Sequence, residues 1–104
     1  MTLKEFKNVL LSVHNNVHHF ESHKDDEYIV WHEVGNITLR ADGGIAESGA
    51  RIAVDFFTKT EYSDIPGKLL ETLSRQNEIM VSDYETIYEK DTDYIHYAYT
   101  CEVI

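Results

Sequence analysis

EYIVWHEVGNITLRADGGIAESGARIAVDFFTKT, residues 27–60, decides how this chain folds. Its first part, EYIVWHEV (27–34), is rich in β-branched and aromatic residues and predicts a strand. The run is nearly continuously apolar through Trp31, so both faces are expected to be covered near its start. NITLRA (36–41) alternates Ile37, Leu39 and Ala41 against Thr38 and Arg40, the pattern of a second strand. Gly35-Asn36 between the two predicts a tight hairpin. DGGIAESGA (42–50) carries three glycines and predicts a mobile loop. RIAVDFFTKT (51–60) predicts a third strand, with Ile52, Val54 and Phe56 on one face.

The flanks supply helices and a second hairpin. In TLKEFKNVLLSV (2–13), Leu3, Phe6, Leu10 and Val13 make one apolar helical stripe. Thr2 and Glu5 fit a capping box, in which each side chain bonds the other's backbone N–H. Asn15-Asn16 is the predicted stop. SDIPGKLLETLSRQN (63–77) predicts a second helix, capped by Ser63 or Asp64, with Pro66 in its first turn and Ile65, Leu69, Leu70 and Leu73 as its buried stripe. IMVSDYETIYE (79–89) and YIHYAYTCEVI (94–104) predict two strands joined by the polar turn KDTD. The last strand sets Ile95, Tyr97, Tyr99, Cys101 and Val103 against Tyr94, His96, Ala98, Thr100 and Glu102. The expected order is α-β-β-β-α-β-β: one α+β domain over 1–104, a largely antiparallel sheet with two helices on one face.

Composition narrows the function classes. A chain of 104 residues buries roughly two-thirds of its unfolded surface, enough for one modest core. The formal charge of −10 disfavours nonspecific binding to phosphate backbones and to anionic membrane surfaces. One cysteine, Cys101, excludes an intrachain disulfide. No apolar run approaches the length of a membrane span, and the N-terminal stretch, with acidic Glu5, does not read as a signal peptide.

VHNNVHHFESH (13–23) holds four of the six histidines: His14, His18, His19 and His23. On a helix, the i, i+4 pairs His14/His18 and His19/His23 would converge on a metal ion. A helix that stops near Asn15 leaves only His14 on it, and neither H-E-x-x-H nor C-x-x-C is present. Solvated histidines in a connecting segment are therefore the expectation. A small metal-binding protein or enzyme using 14–23 is the alternative. Cys101 and His96 are the one Cys/His pair close in sequence, and their odd spacing puts them on opposite faces of a strand. No G-x-S-x-G elbow and no P-loop appear. With 19 acidic residues, carboxylate pairs are unavoidable, and Glu85 and Glu89 read as part of a solvated face. Tyr84, Tyr88, Tyr94, Tyr97 and Tyr99 crowd the last two strands, dividing between core and a protein-facing surface.

Four stretches occur in order: YIVWHEVG (28–35), RADGG (40–44), RIAVDFFTKTEYSDIPGKLLETL (51–73) and YEKDTDYIHYAYTCEVI (88–104). Together they resemble the tail-terminator or tail-completion (minor tail) proteins of long-tailed phages and prophages of Gram-positive bacteria, over residues 17–104. The resemblance implies an α+β virion structural protein that caps the head-proximal end of the tail tube as a ring, commonly of six subunits. Such a protein ends tube polymerisation and helps join the head. The implied partners are further copies of the chain, the major tail tube protein and the head–tail connector, with DNA passing through the ring without specific binding. The implied location is the virion tail, assembled in the host bacterial cytoplasm. No enzymatic activity and no cofactor are implied. Another head–tail joining protein of similar size is a further possibility. The family carries no short motif to transfer, so interface candidates come from chemistry: Asp42, Gly43, Gly44, Ile45 and Glu47 in the glycine-rich stretch, and Asp91 and Asp93 in the acidic turn.

Overall fold

The computed structural model describes the backbone of residues 1–41 and 44–104, and the side chains of 1–38 and 48–104. It is an α+β domain. In chain order the elements are α1 (Leu3–Leu11), β1 (Val17–His19), β2 (Glu27–Ala41), β3 (Gly44–Thr58), α2 (Ile65–Ser74), β4 (Ile79–Glu89) and β5 (Tyr94–Val103). The five strands form one sheet in the order β1-β2-β3-β5-β4. Only the β1–β2 pairing is parallel.

The α-β-β-β-α-β-β order is as expected, but two of the strands are not the expected ones. Residues 27–34 and 36–41 are a single strand of 15 residues. No hairpin forms at Gly35-Asn36. The register slips between Glu33 and Gly35, so Val34 is an extra residue and Gly35 sits in a β-bulge. The stretch expected as a loop, 42–50, is strand from Gly44 onward, with Gly44 opposite Ala41 and Ile45 opposite Arg40. The remaining strand, β1, falls within the histidine-rich segment, where a connector is expected.

One face of the sheet carries the helices. Ile29 and Trp31 on β2, Ile52, Val54 and Phe56 on β3, and Tyr99, Cys101 and Val103 on β5 point to it. Phe6 and Leu10 of α1 and Leu69 and Leu73 of α2 close over them, all fully buried. Each such apolar side chain contributes about 1.5–3 kcal/mol of transfer free energy. Trp31 meets Phe6 with ring centroids 5.4 Å apart. The capping box is formed: Glu5 N donates to Thr2 Oγ1 at 3.1 Å and Thr2 N donates to Glu5 Oε1 at 2.9 Å. These bonds hold the Glu5 carboxyl below its usual range. α1 ends at Leu11 with Ser12 as its C-cap, short of Asn15. Pro66 lies in the first turn of α2, and its carbonyl accepts a hydrogen bond from the buried Tyr99 hydroxyl at 2.9 Å.

β2 and β3 outrun the rest of the sheet. β5 pairs with β3 only from Ala50 to Thr58, and β1 pairs with β2 only from Ile29 to Trp31. Beyond Asn36 and Ala50 the two long strands pair only with each other, as a projecting arm. A 15-residue strand spans about 50 Å at roughly 3.3 Å per residue, which accounts for the 51 Å long axis against widths of 25 and 21 Å. Gly49 sits where the arm leaves the body. A Cβ there would lie 2.1 Å from the Val103 carbonyl oxygen, so only glycine admits this approach of β3 to the end of β5.

Candidate interaction surfaces

The histidines of 14–23 are fold-building groups spread over both sheet faces. β1 runs parallel to β2, with His18 opposite Val30 and His19 opposite Trp31. Neighbouring strand residues face opposite ways, so the two imidazoles separate. His19 lies flat on Trp31 on the helix side, centroids 4.0 Å apart, and its Nε2 is 2.5 Å from Glu33 Oε1. His18 stacks on His23 at 4.2 Å on the other side, where both pack against Tyr28. This strap buries Tyr28 and Val30 on the face that no helix covers. His14, past the end of α1, pairs through Nε2 with Glu27 Oε1 at 2.9 Å, and Glu27 Oε2 accepts from the buried Thr58 hydroxyl at 2.8 Å. Among the described residues no three His, Cys, Asp or Glu side chains converge as metal ligands would.

Cys101 and His96 stand on opposite faces, as their spacing implies. Cys101 is in the core, where burial pushes its thiol up to about 12. His96 stacks on Phe57 at 4.2 Å, with Nε2 2.7 Å from Asp55 and Nδ1 3.5 Å from Glu89. Phe57 in turn stacks on Tyr28 at 5.0 Å, so the helix-free face carries a ladder of rings across β2, β3 and β5.

The described interface candidates divide into two groups at opposite ends of the long axis. Asp42 and Gly43 lie outside the described residues. Gly44, Ile45 and Glu47 belong to β3 within the arm, in the ladder with Ala41, Arg40 and Leu39. Asp91 and Asp93 lie in the β4–β5 turn. That turn adjoins Ile95, which pairs with Thr58 at the end of β3 away from the arm. There Asp93 has φ 61, its backbone N–H donates to the Glu89 carbonyl, and its carboxylate accepts from the Tyr88 hydroxyl at 3.1 Å. That bond raises the Tyr88 pKa. Beside it, Lys59, Glu61, Tyr88, Asp93 and Ile95 line an open groove of about 450 Å³. At the base of the arm, Ile37, Ile79, Met80, Glu102 and Ile104 line a second, mostly apolar groove of about 300 Å³.

The five tyrosines of the last two strands also divide. Tyr99 is core, Tyr94 and Tyr97 are half-buried, and Tyr84 and Tyr88 are exposed on the outer strand. Sequence reasoning missed Phe20 and Tyr62, exposed aromatic residues at φ 68 and 62. Bulky residues rarely adopt this left-handed conformation. Neither position carries a glycine or asparagine to signal it. No protein-family model matches the chain, and no curated protein matches it either. No helix among the described residues is long and apolar enough to cross a membrane.

Proposed function

We propose that this chain is a phage or prophage virion structural protein that assembles with copies of itself into a ring on the head-proximal end of a tail tube. There it ends tube polymerisation and helps join the head. The reading begins from the sequence resemblance to tail-terminator and tail-completion proteins. One structural observation supports it further: Gly44, Ile45 and Glu47 sit at one end of a 51 Å molecule, and Asp91 and Asp93 at the other. A ring closes through heterologous contacts, which need two different patches on each subunit. An arm at one end and an acidic, tyrosine-bearing turn at the other supply two such patches.

The partners of this reading are neighbouring copies (six in the family's usual ring), the major tail tube protein and the head–tail connector. Its setting is the virion tail, assembled in the host bacterial cytoplasm. A chain of net charge −10 repels phosphates from a lumen through which DNA passes. The reading assigns the chain no catalysis and no cofactor.

The test is assembly of the purified chain with the major tail tube protein of the same phage or prophage. Electron microscopy should show rings on one end of each tube and a shortened, narrowed distribution of tube lengths. A chain that stays monomeric with the tube protein and leaves tube length unchanged overturns the reading.

A further inference from the structure

β4 is the outermost strand of the sheet, and among the described residues nothing pairs with its free side. It is 11 residues long, and every residue from Ser82 to Tyr88 is exposed. Natural sheets guard such edges with short strands, prolines, bulges or charged side chains. β4 has no proline and no lysine; its guards are the irregularity near its start, between Val81 and Asp83, and the carboxylates of Asp83, Glu85 and Glu89, which repel a like strand but not a cationic one. The opposite edge differs: there the short strand β1 pairs with β2 near its start, at Ile29–Trp31.

The side chains of β4 sort by face. Asp83, Glu85, Ile87 and Glu89 lie opposite Thr100, Ala98, His96 and Tyr94 on the helix-free face, three of the four being acidic. Tyr84, Thr86 and Tyr88 lie opposite Tyr99, Tyr97 and Ile95 on the other. An antiparallel pairing of β4 with its own copy would set the acidic row against itself, and like charges directly opposite are destabilising. A strand with alternating cationic and apolar side chains meets both faces favourably, and its backbone satisfies the free edge.

We infer that the β4 edge is a docking site for an extended segment of another protein in which Lys or Arg alternates with apolar residues, added as a sixth strand. The cationic side chains would lie along Asp83, Glu85 and Glu89, and the apolar ones along Tyr84 and Tyr88. This inference goes beyond the ring reading and stands without it.

The experiment titrates the full chain with a fluorescein-labelled peptide of alternating Lys and Val, read by anisotropy and by amide exchange followed by NMR. Binding should be saturable, with slowed exchange confined to residues 82–88. The same peptide N-methylated at its central amides should not bind, since methylation blocks strand pairing and leaves the charge intact. The Asp83→Lys/Glu85→Lys variant, altered at two exposed positions, should bind the Lys–Val peptide about tenfold more weakly and prefer a Glu–Val peptide. Its thermal melt confirms that it folds. Absence of binding, equal binding of the methylated peptide, or protection of residues 82–88 through self-association of the chain overturns the inference.

Discussion

Tyr99 and Pro66 are joined by a buried hydrogen bond of 2.9 Å that ties the middle of β5 to the first turn of α2. Among the described residues it is the one side-chain hydrogen bond that is fully buried. Tyr99→Phe keeps the ring and removes the donor, so denaturant unfolding should show a loss of about 1 kcal/mol. Tyr99→Ala also opens a cavity and should cost about 3–5 kcal/mol. Equal losses for the two variants would mean that the hydroxyl, not the ring, holds the layer together.

Stability should fall in alkali through Cys101. Burial moves its thiol from 9.0 to about 12 in the folded chain and raises Tyr99 as well. The unfolded thiol ionises first, so between these values the unfolded state binds fewer protons than the folded one. The Cys101 contribution is therefore constant below pH 9.0 and is lost as pH rises toward 12. The slope is about 1.4 kcal/mol per pH unit from this one group. Urea unfolding across that range should show the decline, and Cys101→Val should flatten it by about that slope.

Two glycines should respond oppositely to alanine. At Gly49 the new Cβ meets the Val103 carbonyl at 2.1 Å, and backbone has to move. Gly49→Ala should cost about 1–3 kcal/mol. At Gly67, in the first turn of α2, the Cβ meets nothing within 4 Å. Gly67→Ala should stabilise by about 0.5–1 kcal/mol through helix propensity and a less flexible unfolded chain. Thermal melts of the two variants check the pair.

Glu27 serves two donors at once, His14 and the fully buried Thr58. Glu27→Ala leaves the Thr58 hydroxyl without this acceptor and should cost about 1–3 kcal/mol. A double-mutant cycle with Thr58→Val should give a coupling of at least about 0.5 kcal/mol. Strict additivity would show that the bond contributes nothing.

Zinc titrated into the chain should bind weakly and without fixed stoichiometry, because His18 and His19 face opposite sides of the sheet edge. Calorimetry checks this. Stoichiometric binding that is lost in His18→Ala/His19→Ala would restore the metal reading.

Where one residue type has one physical use, the sequence could be read directly. The Thr2–Glu5 box, Pro66 in the first turn of α2, and the alternation of the last strand all describe local geometry, and all appear in the structure. Leu69 and Leu73 are buried as their spacing implies. Glycine is where the reading failed, because it serves turns and bulges alike. Gly35 occupies a bulge inside one long strand instead of a hairpin turn. β1 is only three residues long, too short for any period to show, and tertiary pairing with β2 creates it. The opposed placement of the two candidate contact groups depends on the register of β3 with β5, which no local pattern encodes.

Beyond Asn36 and Ala50, among the described residues, the arm pairs with no strand of the body, which it touches at its base through Ile37 and Gly49. Past that base its composition can drift without cost to the strand pairing of the rest of the sheet. On the ring reading proposed above, selection could rewrite what that projection touches while inheriting an unchanged scaffold, so contact and foldability would evolve on separate tracks.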